Sequence, residues 1–368
     1  MLITALVLTV GAGGCATRIS QSASRPTAPP QVPTLPAAED VWPEAFFPAP
    51  RWFSDTRDVQ PLAMLSKHEV LMADPDEHRP ILVNYDRRTG RHELLGTVPE
   101  STARYHRIEN VTVSDSQIAW IAAVRHPDRT SPELQLWTMP ITGGQIRFVA
   151  LVSPDPNRPG GRDGRMYRLE IVGDQIVWWE DSGGSVYRVP LTGGTPALMG
   201  SGYISTWPWV HDGEDTVTDL VTGEKRSAER VDGTDRRCGP EWCVSGVARA
   251  ANQLTQVIVQ RRDGSRRGIV PGGFRRTPLF HERFGFFDPP EVIGEGSSIS
   301  TARVGTLENG SVIYDRCADR SAALKPKEGE LPIHVGGSLP GGPLLFWRDD
   351  ARKRYMVMDL AAIPEQGC

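Results

Sequence analysis

Residues 136–150 read LWTMPITGGQIRFVA, and residues 186–199 read VYRVPLTGGTPALM. Both write an aromatic residue, one spacer, an apolar residue, Pro, another apolar residue and then Thr-Gly-Gly. Paired glycines accept positive φ and so join two strands at low cost, as a hairpin turn requires. Pro140 and Pro190 stand where a strand ends and a missing N–H matters least. Upstream the likeness continues. DSQIAWIAAV starts at Asp115 and GDQIVWWEDS at Gly173. Each begins with a turn, then Gln, then a β-rich apolar run carrying Trp120 or Trp178. The loop that follows is eight residues longer in the first copy.

Weaker echoes of this unit run along the chain. Turn signals stand at Thr89-Gly90, Thr222-Gly223, Asp263-Gly264 and Asn309-Gly310, the last a strong hairpin signal. Helical periodicity is nearly absent after residue 50. Gly (37) and Pro (31) are spread over all 368 residues, which suits many short strands joined by tight turns. A period of about 40 to 50 residues with several strands per unit is the mark of a β-propeller. Seven units begin near 50, 99, 165, 202, 238, 279 and 333. Those near 202 and 333 are short, so six blades is the alternative. The units resemble those of TolB-type and WD-like propellers of bacterial envelopes. The expected fold is therefore all-β, a propeller of antiparallel blades over 50–368. The last unit offers two or three strands, and a strand from residues 51–59 (RWFSDTRDV) is expected to complete it.

The start reads MLITALVLTVGAGGCATRIS. Leu2–Val10 is apolar but too short to span a bilayer as a stable helix. A short apolar run followed by small residues and a cleavage site is a secretory signal. With Ala12, Gly13 and Gly14 before Cys15, the segment resembles the lipobox of bacterial lipoproteins, although Ala12 stands where that family prefers Leu. The resemblance implies acylation at Cys15, residues 1–15 as signal, and a chain held on the extracytoplasmic side of the cell membrane. A plainly secreted protein is the alternative. Residues 16–49, rich in Pro, Ser, Ala and Thr with little to bury, then form a disordered linker that Pro keeps extended.

Setting Cys15 aside leaves four cysteines, which allow three pairings. Cys238–Cys243 and Cys317–Cys368 are favoured. Chain entropy gives about 2 kcal/mol for the short loop and about 4 kcal/mol for the long one. CGPEWC has four residues between its cysteines and is no redox CxxC. No His stands at zinc-ligand spacing from either pair.

Several residues could carry function. Trp207 and Trp209 flank Pro208 in STWPWV; a strand would put both rings on one side, fit to stack on a sugar or peptide or to pack in the core. Arg236, Arg237, Arg261, Arg262, Arg266, Arg267, Arg275 and Arg276 crowd one region. Hairpin tips could join them into a basic patch for anionic lipid or an acidic partner, or leave them as solvated turns. Asp74, Asp76, Glu77 and His78 in ADPDEH are the candidate ligands for a calcium ion, against a plain hairpin loop. No other metal or cofactor is expected. His281 beside Glu282 and His211 beside Asp212 are acid–base residue types, but neighbours on a strand face opposite ways. Trp120, Trp178, Trp179 and Trp347 sit in matching strands and suit packing between blades.

No GxSxG, HExxH or P-loop pattern occurs, and the net charge of −4 argues for no nucleic-acid partner. The expected function is a monomeric, membrane-tethered binding or scaffold module for an envelope protein, peptide or glycan. An extracellular propeller enzyme with its site in the central funnel, and a structural or export accessory, are the alternatives.

Overall fold

The computed structural model describes residues 31–54, 57–74, 80–99, 105–127, 132–152, 167–180, 184–212, 215–229, 232–247, 253–275, 277–293, 306–307, 309–326, 333–336, 344–365 and 367–368. Seven antiparallel blades form a β-propeller. Blade 1 runs Gln60–Met64, Glu69–Ala73, Ile81–Asp86 and Arg91–Thr97; blade 2 runs Tyr105–Val113, Gln117–Arg125, Glu133–Pro140 and Arg147–Leu151. Blade 3 holds Tyr167–Val172, Gln175–Glu180 and Gly184–Pro190, and ends in the first half of the long strand Ala197–Thr206. The second half of that strand opens blade 4, with Trp209–His211, Thr216–Asp219 and Lys225–Ser227 following. Blade 5 is Thr234–Cys238, Trp242–Gly246, Gln256–Arg261 and Gly268–Pro271. Blade 6 is Phe284–Phe287, Val312–Asp315 and Arg320–Ala323, and blade 7 contains Ile333–Gly336, Leu344–Asp349 and Arg354–Asp359.

The paired Thr-Gly-Gly turns now have a physical reason. Gly143 and Gly193 have φ of 85° and 93°, and each N–H donates back to the Pro carbonyl three residues earlier. Each turn also leans on the preceding blade. A Cβ on Gly143 would lie 2.8 Å from the Leu95 carbonyl oxygen, and one on Gly193 would lie 3.3 Å from that of Val149. Gly144 N–H donates to the same Leu95 oxygen at 3.0 Å. The motif therefore makes a hairpin and seats it on the neighbouring blade at once. Thr89-Gly90 and Thr222-Gly223 turn by a related device: the Asp86 and Asp219 carboxylates accept from the backbone N–H groups two and three residues on.

Apolar layers fill the spaces between blades. Among the described residues seven clusters of buried side chains each join one blade to the next. Trp120 lies between blades 1 and 2, Trp178 between 2 and 3, Trp179 between 3 and 4, and Trp347 between 6 and 7, all buried as their strand positions predicted. The layer with Phe47, Val70, Val83, Phe346 and Val357 joins blade 7 back to blade 1, which closes the ring. The first strands of blades 1, 2 and 3 lie against one another, so the first strand of a blade is its innermost and the last its outermost.

Closure differs from expectation in detail, and the linker expected over 16–49 stops short of its bound: Ala38–Val41 and Pro43–Ala45 are short helical turns, with Ala38, Trp42 and Ala45 buried between blades 6 and 7. The strand that completes blade 7 is Phe46–Pro50, paired with Arg354–Asp359 from Phe46 opposite Met358 to Pro50 opposite Arg354. Residues 51–59 instead form a separate small hairpin, Trp52–Ser54 with Arg57–Asp58. Phe47 and Ala49 alternate inward with Pro48 outward, which is why the FFPAP stretch serves as an edge strand. Asn309-Gly310 also departs from its hairpin reading. Thr306–Leu307 before it pairs with Ile333–Gly336 of blade 7, while Val312–Asp315 after it belongs to blade 6, so the turn crosses between blades.

Candidate functional site

Both sulfur pairs form as Cys238–Cys243 and Cys317–Cys368. Cys15, Asp76, Glu77, His78 and Arg276 lie outside the described residues. Asp74, the described member of the acidic loop, is buried and lies 3.6 Å from the Arg57 guanidinium. Among the described residues no group of three or more His, Cys, Asp or Glu is placed to hold a metal.

The two tryptophans of STWPWV do not share a face. Residues 207 and 208 form the turn between two strands, with a cis Trp207-Pro208 bond. Trp207 packs on the layer between blades 3 and 4, whereas Trp209 packs with Val217, Cys238 and Cys243 between blades 4 and 5. Trp209 is buried and its ring carries the Arg226 guanidinium at 4.4 Å. An aromatic platform for a sugar is thus absent from this place.

The arginine-rich region is divided rather than pooled. Arg236 pairs with Asp215 at 3.2 Å, Arg267 with Asp232 at 3.0 Å and Arg275 with Asp288 at 3.4 Å. Arg262 is buried and does not face solvent. Its guanidinium donates to the carbonyls of Gly239 (3.1 Å), Asp215 (2.9 Å) and Arg226, tying blades 4 and 5. Burial lowers its pKa below the ordinary arginine value. Arg261 reaches over the Trp242 ring at 5.8 Å, and Arg266 takes a left-handed φ of 48° in the exposed turn.

One cluster was not legible in the residue order. His281 and Glu282 sit on a turn, with φ of 49° and 56°, between Phe280 and Phe284. The Glu282 carboxylate crosses to the CGPEWC loop of blade 5, where Oε2 accepts from Trp242 N–H at 2.9 Å and Glu241 N–H at 3.2 Å. Any side chain at Gly239 would overlap Oε1, so a larger residue there would displace the Glu282 carboxyl. Oε1 is buried without a hydrogen-bond partner, and burial raises the carboxyl pKa to about 7. Arg316 donates to the Glu282 carbonyl at 2.7 Å and lies over the Trp242 ring at 4.5 Å. The cluster binds blade 5 to blade 6, and the Cys238–Cys243 bond holds the donor loop in shape.

Among the described residues the first strands of blades 2 and 3 each carry a strongly perturbed group. Glu170 on the first strand of blade 3 stands opposite Val177; burial alone raises its pKa to about 7, and its Oε2 is buried without a partner. Burial drives His106, on the first strand of blade 2, down to about 4, which leaves it a neutral imidazole 5.7 Å from the Trp137 ring. Register keeps them apart. Val113 faces Ile118 and Ile171 faces Ile176, so Thr112 is the counterpart of Glu170. His106 stands six residues earlier, roughly 20 Å along the strand at ~3.3 Å per residue. The two do not form an acid–base pair. His211 is buried in blade 4.

The outer rim has a regularity of its own. Leu94, Phe148, Leu198, Val221 and Ile269 are 51%, 50%, 63%, 66% and 49% exposed, so each of blades 1 to 5 carries at least one, and blade 2 adds Leu151. Leu94, Phe148 and Ile269 lie on outermost strands whose far edges pair with no further strand among the described residues, whereas Leu198 lies on the strand that runs on into blade 4 and Val221 on a turn. Blade 6 is different. There the chain's own segment at Leu35–Ala38 covers the edge: Ala37 bridges Ala323 in parallel, Ala323 N–H donates to the Pro36 carbonyl at 2.9 Å, and Lys325 Nζ donates to that of Leu35 at 2.6 Å.

No protein-family model matches the chain, and no curated protein matches it in sequence. Solved structures of similar shape include an oligogalacturonate lyase in complex with manganese, at 10% identity and a TM-score of 0.36 over 82% of this chain and 76% of that one. A nidogen–laminin complex matches at 12% identity and 0.33, over 80% and 89% of the two chains. A putative TolB from Agrobacterium tumefaciens matches at 14% identity and 0.35, over 71% and 91%. Likenesses this distant leave what the chain binds or does to its own residues.

Proposed function

We propose that this propeller is a non-catalytic binding module that takes up an extended polypeptide segment of an envelope partner along its open outer edges. It is held outside a membrane by an acylated Cys15 and the Pro-rich linker. The observation that carries the reading is the rim: an exposed apolar side chain recurs on five consecutive blades, and on blades 1, 2 and 5 it sits on an edge strand whose outer side meets no further strand among the described residues. Segment Leu35–Ala38 on blade 6 displays the same mode of recognition within the chain. An extended peptide added to such an edge gains main-chain hydrogen bonds, and its alternate side chains meet the apolar row. The two disulfides suit an oxidising compartment outside the cytoplasm.

Capture from envelope extract tests the reading. The unaltered protein is expected to retain a partner that Phe148→Ser/Leu198→Ser loses while keeping its thermal stability. Identical capture by both proteins refutes the rim as the site. Replacement of Cys15 by Ser is expected to abolish incorporation of a labelled fatty acid and release the protein from membranes; retention of the label refutes the anchor.

A second reading, an enzyme with its site on the axis, draws on Glu170, whose carboxyl pKa near 7 suits a general acid. Any turnover found on a panel of lactones and glycosides should then vanish in Glu170→Gln. Turnover that survives the change removes that reading.

A further inference from the structure

The two disulfides sit in opposite surroundings. Cys238 and Cys243 are both 0% exposed and belong to an apolar layer with Trp209 and Val217. Cys317 is nearly buried, but Cys368 is exposed. Beside the second pair stands a permanent cation: Arg316 Nη2 is 3.3 Å from Cys368 Sγ and 3.6 Å from Cys317 Sγ. Its place is set from two sides: Nε donates to the Glu282 carbonyl at 2.7 Å and the guanidinium lies over the Trp242 ring at 4.5 Å. Cys317 is held in turn by its own N–H, which donates to the Asp315 carboxylate at 3.0 Å.

We propose that Cys317–Cys368 is a thiol–disulfide exchange site for a dithiol reductant, and that Cys238–Cys243 is inert to the same reagent. Exchange needs an accessible sulfur to attack and a leaving thiolate that is stabilised. Cys368 Sγ meets the first need by its exposure. Arg316 meets the second, because a neighbouring cation favours thiolate over thiol. A thiolate of the dithiol attacks Cys368 Sγ; the new S–S bond forms as the Cys317–Cys368 bond breaks, and the electron pair leaves on Cys317 beside Arg316. The second thiol of the reagent, giving up its proton to solvent, attacks its own sulfur in the mixed bond. Cys368 then leaves as a thiolate, and the reagent departs as a disulfide. Two electrons pass to the cysteine pair, which takes up protons from water. Arg316 then has no sulfur pair to span, and the Pro364 carbonyl remains held by Arg283 at 2.7 Å. Because Arg316 also contacts Trp242 and Glu282, opening this bond is communicated to the blade 5–blade 6 junction. The inference is independent of the rim and of any partner.

The test is timed reduction of the intact protein with dithiothreitol at pH 8, alkylation of the freed thiols and peptide mapping by mass spectrometry. Cys317 and Cys368 are expected to be freed at least about tenfold faster than Cys238 and Cys243. Arg316→Gln should slow that opening, and Arg316→Lys should keep most of the rate. Equal opening of the two bonds, or earlier opening of Cys238–Cys243, overturns the proposal. So does an Arg316→Gln protein that opens as fast as the unaltered one. If that variant loosens both bonds together, the salt dependence of the unaltered protein decides: opening should slow as salt screens the guanidinium, and an unchanged rate refutes its role.

Discussion

Replacing Glu170 by Gln should stabilise the protein at pH 8 and leave it almost unchanged at pH 4. In the folded protein the carboxyl holds its proton until about pH 7, against an ordinary glutamate value of 4.5, because apolar packing withdraws it from water. The gap of about 2.5 pH units, at ~1.36 kcal/mol each, makes the ionised side chain cost about 3 kcal/mol of stability. The sign follows from the direction of the change. Below pH 4.5 the folded and unfolded chains both carry the proton and there is no penalty. Between 4.5 and 7 the unfolded chain ionises first, so stability falls as pH rises. Above 7 the full cost is present. Gln has nearly the same shape and no charge. Whatever an unpartnered amide costs here is independent of pH, so the difference between pH 8 and pH 4 is the clean quantity. Urea unfolding followed by tryptophan fluorescence at pH 4, 6 and 8, with the disulfides kept oxidised, measures it. Glu282 has a similarly raised pKa and is present in both proteins, so its effect cancels. A stability difference that is the same at pH 4 and pH 8, or a variant that is weaker at pH 8 than at pH 4, refutes the argument.

Three further outcomes are expected. Gly239→Ala displaces the Glu282 carboxyl from its two amide donors, and should cost about 1–3 kcal/mol in the same urea assay. Trp178→Phe should cost more than Trp120→Phe, by about 1 kcal/mol in unfolding free energy, because Trp178 donates to the Val152 carbonyl at 2.9 Å whereas the buried Trp120 Nε1 has no partner; equal costs would contradict this. Ala49→Asp puts a charge into the layer between blades 7 and 1, and should open the ring and produce aggregates visible by light scattering.

The ring was readable because its information is local. Thr-Gly-Gly at 142–144 and 192–194 and the tryptophans at 120 and 178 recur at matched positions, and the seven unit starts near 50, 99, 165, 202, 238, 279 and 333 track the seven blades. Local patterns failed where a neighbouring element decided the outcome. The turn at Pro208 sends Trp207 and Trp209 into different layers, although strand alternation alone would have set them together. Arg262 shares its sequence neighbourhood with exposed arginines, yet three carbonyls remote from one another in the chain enclose it. The Glu282 cluster spans about forty residues, between Glu241 and Glu282, and no spacing rule joins a carboxylate to two amides of another blade. Gly239 inside CGPEWC was the available hint, since only the absence of a side chain lets that carboxyl approach.

The pairing of Phe46–Pro50 with Arg354–Asp359 has a consequence for how the molecule is made. A strand that leaves the ribosome early must wait for a partner some three hundred residues behind it. Contacts so remote in sequence slow folding, and until they form blade 7 lacks its outer strand. The nascent protein is therefore an open arc for most of its synthesis, with a spare strand at one end and a vacant berth at the other. During that interval a second copy can offer the same strand, so crowded production favours exchange between chains, whereas dilute, unhurried production favours the closed monomer.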